Sequence, residues 1–267
     1  DPRIRLLSHG ENKGLFQARI TGVLAARGTH IAFVDADDAV SIDWFRLLYK
    51  TATALASDIT VGQFVCAYGK DRLEYFPLDP LRQPLSLDGE EVLRAFLGQE
   101  GSCYSWHVVW NKLYAKELWT AALPSLQAFS EQHPHMVMCE DIAFSCALWS
   151  RARRVRSVTE GGYYFYNRAN TGQSTAVRRD RRRILQNLEQ AAAAFSFLLE
   201  EIRSQNAPAD CFSHALAWRQ YYGEMYFKML SECRGHHPRR DGAEVCRMLS
   251  LADGTDVSTL RSVHSFF

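Results

Sequence analysis

The stretch "THIAFVDADDAVSIDWF", residues 29–45, decides how the chain folds. Its first half, "HIAFV" (30–34), is an unbroken apolar run bounded by polar residues, which reads as a strand buried on both faces of a parallel sheet. Asp35, Asp37 and Asp38 follow at once, and no Lys or Arg lies within the stretch to balance them. Ser41 then stands where it can cap a helix carrying Trp44, Leu47 and Leu48.

Outward from this point, strand and helix patterns alternate. "IRLLS" (4–8) reads as a short strand, with "ENKG" as turn material. Phe16, Ile20, Val23 and Leu24 recur at helical spacing over 15–26, with Gly28 as the C-cap. "DITVGQFVCAY" (58–68) reads as a strand, with "RLEYF" (72–76) as its hairpin partner. Helices are expected at 88–98, 112–121 and 140–152, with a looser stretch at 123–139 and strands at "RVRSV" and "GYYFYN". Such alternation predicts an α/β sheet. Beyond Arg178 the pattern becomes helical. Ile184, Leu188, Ala191, Phe195, Leu198 and Ile202 form one stripe, and Ala215, Trp218, Tyr222, Met225 and Met229 form a second after Pro208. Two regions follow, residues 1–175 and a helical C-terminal extension, 176–267.

The bulk numbers restrict function. A 267-residue chain, 47% apolar, supports a substantial core, and its net charge of +1 argues against a chain that chiefly wraps nucleic acid. Arg178, Arg179, Arg181, Arg182 and Arg183 form a basic knot that reads for the most part as a solvated helix face, and that could also reach a diphosphate or anionic headgroups at a peripheral membrane contact. Seven scattered cysteines without a CxxC read as free thiols in a reducing compartment. With no leader and no apolar run long enough to span a bilayer, the expectation is a cytoplasmic protein, peripheral at most at the inner face of the plasma membrane. His133 and His135 have metal-like spacing but read as loop residues rather than as a metal site.

Ligands of open α/β sheets bind beyond the carboxyl ends of strands, where Asp35–Asp38 lie. Carboxylates two residues apart on an extended segment can converge on one hard cation, Mg²⁺ or Mn²⁺. The pattern also fits a polar loop whose aspartates cap the next helix. An EF-hand is excluded, because its turn glycine and twelfth-position Glu are missing.

"HGENKGLFQARITGVLAARGTHIAFVDADD" resembles the nucleotide-sugar-binding part of family 2 glycosyltransferases: an Asn-x-Gly turn (Asn12, Gly14), an Ala-Arg helix (Ala18, Arg19), a small-residue end, then an apolar strand into D-x-D-D. Ile20 departs from the family's usual Asn. "VWNKLYAKELW" (109–119), "CEDIAFSCALWSRARRV" (139–155) and "YYFYNRANTGQST" (163–175) resemble, in order, the acceptor-side stretch, the helix start bearing the catalytic base, and the strand and mobile loop over the donor. The resemblance implies a GT-A (Rossmann-like) fold lacking its first βαβ portion, so the sequence reads as a fragment of a longer enzyme. It implies an inverting, metal-dependent hexosyl transfer from a UDP-sugar to a glycan or glycolipid acceptor hydroxyl, in bacterial surface polysaccharide or lipopolysaccharide synthesis. Asp141 matches the base, and Glu140, Trp110 and Lys112 match the acceptor side. Asn12, Gly14, Arg19, Asp35 and Arg168 match the donor side, and Asp37 with Asp35 matches the seat of Mn²⁺ or Mg²⁺. The alternative is a non-catalytic GT-A-derived scaffold that binds a partner through its basic segment and helical tail.

Overall fold

A computed structural model of the chain describes residues 1–68, 72–74, 84–102, 104–169 and 180–250. Its centre is β3 (Ile59–Gly62), all four of whose residues are buried. β3 pairs antiparallel with β7 (Lys112–Ala115) and parallel with β8 (Arg154–Val158). β1 (His30–Ala32) and β6 (Ser86–Asp88) complete a five-stranded sheet of order β1-β7-β3-β8-β6. A smaller sheet runs β2 (Ala39–Val40), β9 (Tyr164–Asn167), β4 (Phe64–Ala67), β5 (Leu73–Glu74), with β4 and β9 parallel. The single strand expected over 58–68 is thus two strands in two sheets, and Gly62 stands at the step. A Cβ there would lie 2.0 Å from the Trp44 ring, so only glycine lets the indole close over the crossing.

The strands alternate faces as the pleat requires. Leu113 packs with Trp44 and Leu48 of α2 (Trp44–Leu55), whereas Tyr114, Ile59 and Val61 join the larger core beyond the opposite face. That core holds α1 (Gly14–Ala25), α3 (Glu91–Leu97), α5 (Lys116–Gln132) and α6 (Glu140–Trp149), while the short α4 (Tyr104–His107) contributes Trp106. α6 is apolar nearly all round because α5 and the C-terminal helices enclose it. α7 (Arg181–Ser204) starts at Asp180, whose carboxylate accepts the Arg182 and Arg183 amides at 3.0 and 3.3 Å, an N-cap. α8 (Ala209–Ser231) and α9 (Pro238–Met248) follow. Phe195 and Trp218 share one apolar cluster with Phe16 and Val155, so the helical region completes the core of the sheet region. No described helix is long and apolar enough to cross a membrane.

The expected class, α/β with a helical C-terminal part, is the observed one; several local expectations are corrected. Residues 4–8 form no strand, and Ile4 and Leu6 are 77% and 94% exposed. β1 is an edge strand antiparallel to β7, not a central parallel strand, and its apolar run continues into half-exposed Phe33 and exposed Val34. Residues 112–115 are strand, not helix start, and the helix that follows runs through Pro124 to Gln132 across the stretch expected to be loose. A four-residue strand buried on both faces has no period of two to betray it. Ser41 does not cap α2 with its side chain. Its Oγ accepts the Tyr163 amide at 2.9 Å, and its carbonyl accepts the Trp44 amide. The six described cysteines are free thiols. Arg178, Arg179 and the loop residues 170–175 lie outside the described residues.

Candidate active site

Three sequence-distant segments meet at one guanidinium. Arg19 projects from α1 with its side chain 5% exposed. Its Nη1 donates to Asp141 Oδ1 at 2.6 Å and Glu140 Oε1 at 3.1 Å, and its Nη2 to Asp35 Oδ1 at 3.2 Å. The cation also lies over the Phe33 ring, 5.9 Å from its centroid. Burial opposes the guanidinium charge, but Asp141, Glu140 and Asp35 outweigh it and raise the Arg19 pKa above its ordinary value. Three carboxylates engage Arg19, which ties the acidic loop to the start of α6.

Burial pushes the Glu140 carboxyl well above the ordinary range, and the Asp141 charge adds to the rise while Arg19 opposes it. Burial likewise raises Asp141, with Arg19 pulling it down. The helix N-terminus supports negative charge on both. Asp141 keeps 17% of its side chain exposed against 10% for Glu140, and its bond to Arg19 uses Oδ1 alone. Asp141 is therefore the more accessible of the two carboxylates.

The acidic loop is shaped by β9. Tyr164 Oη accepts the Asp35 amide at 3.0 Å and donates to Asp38 Oδ2 at 2.6 Å. The Asn167 amide donates to Asp38 Oδ1 at 2.7 Å, and Asn167 Nδ2 donates to the Asp37 carbonyl at 3.2 Å. The repulsion within "DADD" is thus relieved locally for Asp38, which becomes a strut. Tyr164 and Asn167 were not singled out from the sequence. Their signal lay in the aromatic "YYFYN" run, but a hydroxyl that reaches 126 positions back along the chain has no local signature.

A divalent cation can be tested against this donor set. Asp38 is used by Tyr164 and Asn167, and Asp35 Oδ1 faces Arg19, so Asp35 and exposed Asp37 are the carboxylates to weigh as cation donors. Among the described residues no group of three or more His, Cys, Asp or Glu side chains is arranged to hold a metal ion by itself. Mg²⁺ needs only one or two protein carboxylates when waters and substrate phosphates supply the rest. The residues fit a cation shared with a diphosphate and do not fit one enclosed by protein alone.

Other expected site residues have different surroundings. Trp110 is 2% exposed, stacked on Tyr164 and Tyr166 at 4.4 and 5.2 Å with Phe64 against it, so it offers no face to a sugar. The Lys112 side chain is fully buried, and its ammonium donates to the Ser105 and Val108 carbonyls and to Asn111 Oδ1 at 2.8, 2.5 and 2.6 Å. Its charge still bears on Asp141, lowering that carboxyl's pKa from below the site. Lys112 is buried because it opens β7, an inner strand of the larger sheet. Asn12 Oδ1 accepts the Gly14 amide at 2.9 Å, a turn that launches α1. Gly14 has φ +80° and passes so close to His135 that a Cβ would lie 2.9 Å from its Cα. Arg168 is half-buried over the Tyr166 ring, its guanidinium 5.8 Å from the centroid.

Residues 1–112 match the model of the family described as glycosyl transferase family 2. The uncharacterized glycosyltransferase EpsJ of Bacillus subtilis (strain 168) is 34% identical over 171 residues, 64% of this chain and 47% of the relative. The chain therefore spans about half that relative's length. The uncharacterized glycosyltransferase YibD of Escherichia coli (strain K12) is 26% identical over 94% of this chain and 68% of its own. A crystal structure of S. aureus TarS 1–349 in complex with UDP-GlcNAc aligns over 92% of this chain and 72% of its own, with 12% identity and a TM-score of 0.48, a likeness too distant to carry a conclusion. The Succinoglycan biosynthesis protein ExoO of Rhizobium meliloti (strain 1021) is 43% identical over 61 residues, 23% of this chain and 18% of the relative. The similarity to glycosyl transferase family 2 thus covers residues 1–112, and likeness to individual glycosyltransferases extends over more of the chain.

Proposed function

We propose that the chain transfers a sugar from a nucleoside diphosphate donor, with UDP-sugars the first to test, to an acceptor hydroxyl on a glycan or glycolipid, with inversion at the anomeric carbon. One observation carries this: Arg19 joins Asp35 of the acidic loop to Glu140 and Asp141 at a helix start, so a diphosphate seat and a base of raised pKa share one site.

Asp141 takes the proton from the acceptor hydroxyl as the oxygen attacks the anomeric carbon. The bond from that carbon to the diphosphate oxygen breaks on the opposite face. A base works best with its pKa near the working pH, and burial moves Asp141 in that direction. Arg19 holds the carboxylate in place and spends one carboxylate oxygen to do so. Mn²⁺ or Mg²⁺, held by Asp37 and Asp35, would supply charge stabilisation to the leaving diphosphate. Surface polysaccharide synthesis is the setting suggested by the likeness to the Succinoglycan biosynthesis protein ExoO. A peripheral contact with an anionic membrane face rests on exposed Arg182, Arg183, Arg239 and Arg240. Co-sedimentation with phosphatidylglycerol vesicles that is absent at low salt would remove that contact.

The test is transfer from a panel of UDP-sugars with Mn²⁺. Asp141→Asn is expected to lower kcat by about 10²–10⁴, the usual worth of a general base. Asp37→Ala is expected to raise the Mn²⁺ needed for half-maximal rate. Wild-type turnover in both variants would overturn the proposal and favour the scaffold reading.

A further inference from the structure

The segment that delivers Asp141 is irregular and has to be held. Residues 133–139 connect α5 to α6 and end at Cys139, a non-glycine residue in the left-handed region (φ 60°, ψ 13°). A conformation of this kind costs about 1–2 kcal/mol and persists only where its surroundings over-determine it. On one side the restraint is α1: the Met136 carbonyl accepts the Phe16 amide at 3.3 Å, and Gly14 packs against the His135 backbone. On the other side it is α7, in the C-terminal helical region. There the side-chain oxygen of Gln190 accepts two consecutive amides, Val137 at 3.0 Å and Met138 at 2.8 Å. Tyr226 of α8 adds a hydrogen bond to the Cys139 thiol.

We propose that Gln190 is a positioning residue for Asp141, so that the C-terminal helices form part of the active site's framework; this rests on the reading of Asp141 as the base. Two amides in sequence sharing one oxygen fix the direction in which the chain enters the Cys139 turn. That direction sets where the first turn of α6 points its carboxylates. Half-buried Gln190 touches none of Arg19, Asp35 or Asp141 by hydrogen bond, so its effect acts through the backbone. It should therefore change turnover more than donor affinity.

The experiment compares Gln190→Ala and Gln190→Glu with the unaltered chain. Glu keeps an oxygen acceptor at the same reach, and Ala removes it. Transfer kinetics are measured on the UDP-sugar panel, with amide hydrogen exchange over residues 136–145. For Gln190→Ala the expected results are a kcat about 10- to 100-fold lower, the scale for a base displaced by about 1 Å, and a donor KM within about two-fold. Exchange should quicken at Val137 and Met138 and on through Glu140–Ile142, and Gln190→Glu should recover most of both. Faster exchange with unchanged kcat overturns the proposal, as does an equal loss in both variants. If the unaltered chain and Asp141→Asn are both inactive, the transferase reading fails by itself. Exchange then decides the positioning role: spread into Glu140–Ile142 upholds it, and confinement to Val137 and Met138 overturns it.

Discussion

Replacing Arg19 by Met keeps the stem's bulk and removes the charge that three carboxylates share. The guanidinium is 5% exposed and meets Asp141, Glu140 and Asp35 at 2.6, 3.1 and 3.2 Å. Removing one partner of a buried ion pair costs about 3–5 kcal/mol, because the other charge stays buried and uncompensated. For a chain of this size each kcal/mol moves Tm by about 2–4 °C, so a fall of about 6–20 °C is expected at pH 8. The loss should depend on pH. In the folded chain Glu140 and Asp141 both titrate above their ordinary values, chiefly through burial. Their contribution to stability is therefore full below about pH 4, the unfolded range, and is lost as pH rises through the raised folded values. Without Arg19 those values rise further, and each added unit costs about 1.4 kcal/mol per carboxyl that must ionise. At pH 5 a larger share of the two carboxyls is protonated than at pH 8, so the loss falls towards that of the hydrogen bonds alone, about 1–3 kcal/mol. Scanning calorimetry of both proteins at pH 5 and pH 8 measures the difference. A variant that loses as much at pH 5 as at pH 8 would refute this account of the cluster.

Three further outcomes follow from the same structure. Tyr164→Phe removes the hydroxyl between the Asp35 amide and Asp38, and should cost about 1–2 kcal/mol in urea unfolding and raise the Mn²⁺ requirement more than it lowers kcat. Gly62→Ala places a methyl 2.0 Å from the Trp44 ring and should cost at least about 1–3 kcal/mol in the same assay; an unchanged midpoint would show that the crossing can relax. Asp241 is wholly buried, and the Arg181 hydrogen bond, with those from the His237 amide and the His236 ring, depresses its pKa. A depressed folded pKa gives stability that is present above the unfolded value of about 3.9 and lost as pH falls through the folded one. Asp241→Asn should therefore cost about 3 kcal/mol at pH 7, the low end for a buried pair because Arg181 and Arg240 reach solvent, and the two melting curves should converge in acid.

Much of the site was legible because its residues belong to short local patterns. The apolar run into "DADD" announced a strand end carrying charge, and "ED" at an apolar helix start announced first-turn acids. α1, α7 and α8 were visible as apolar stripes, since burial of one face imposes the helical period. β7 was misread for the converse reason. Buried on both faces, it shows no alternation, and nothing local in the sequence announced that Lys112 and neighbouring Trp110 would be buried.

The sequence by itself determined an α/β sheet with a helical C-terminal region, and it placed acidic groups at two helix-and-strand ends. Only the tertiary structure decided what each acid does. Arg19 gathers Asp35, Glu140 and Asp141 across more than a hundred residues, Tyr164 and Asn167 turn Asp38 into a strut, and Gln190 reaches back from α7 to hold the turn before Glu140. The physical reason is that a charge has its pKa and its role set by burial and by partners within a few ångströms. Local periodicity records which residues are buried, and it carries no information on which distant side chain meets them there.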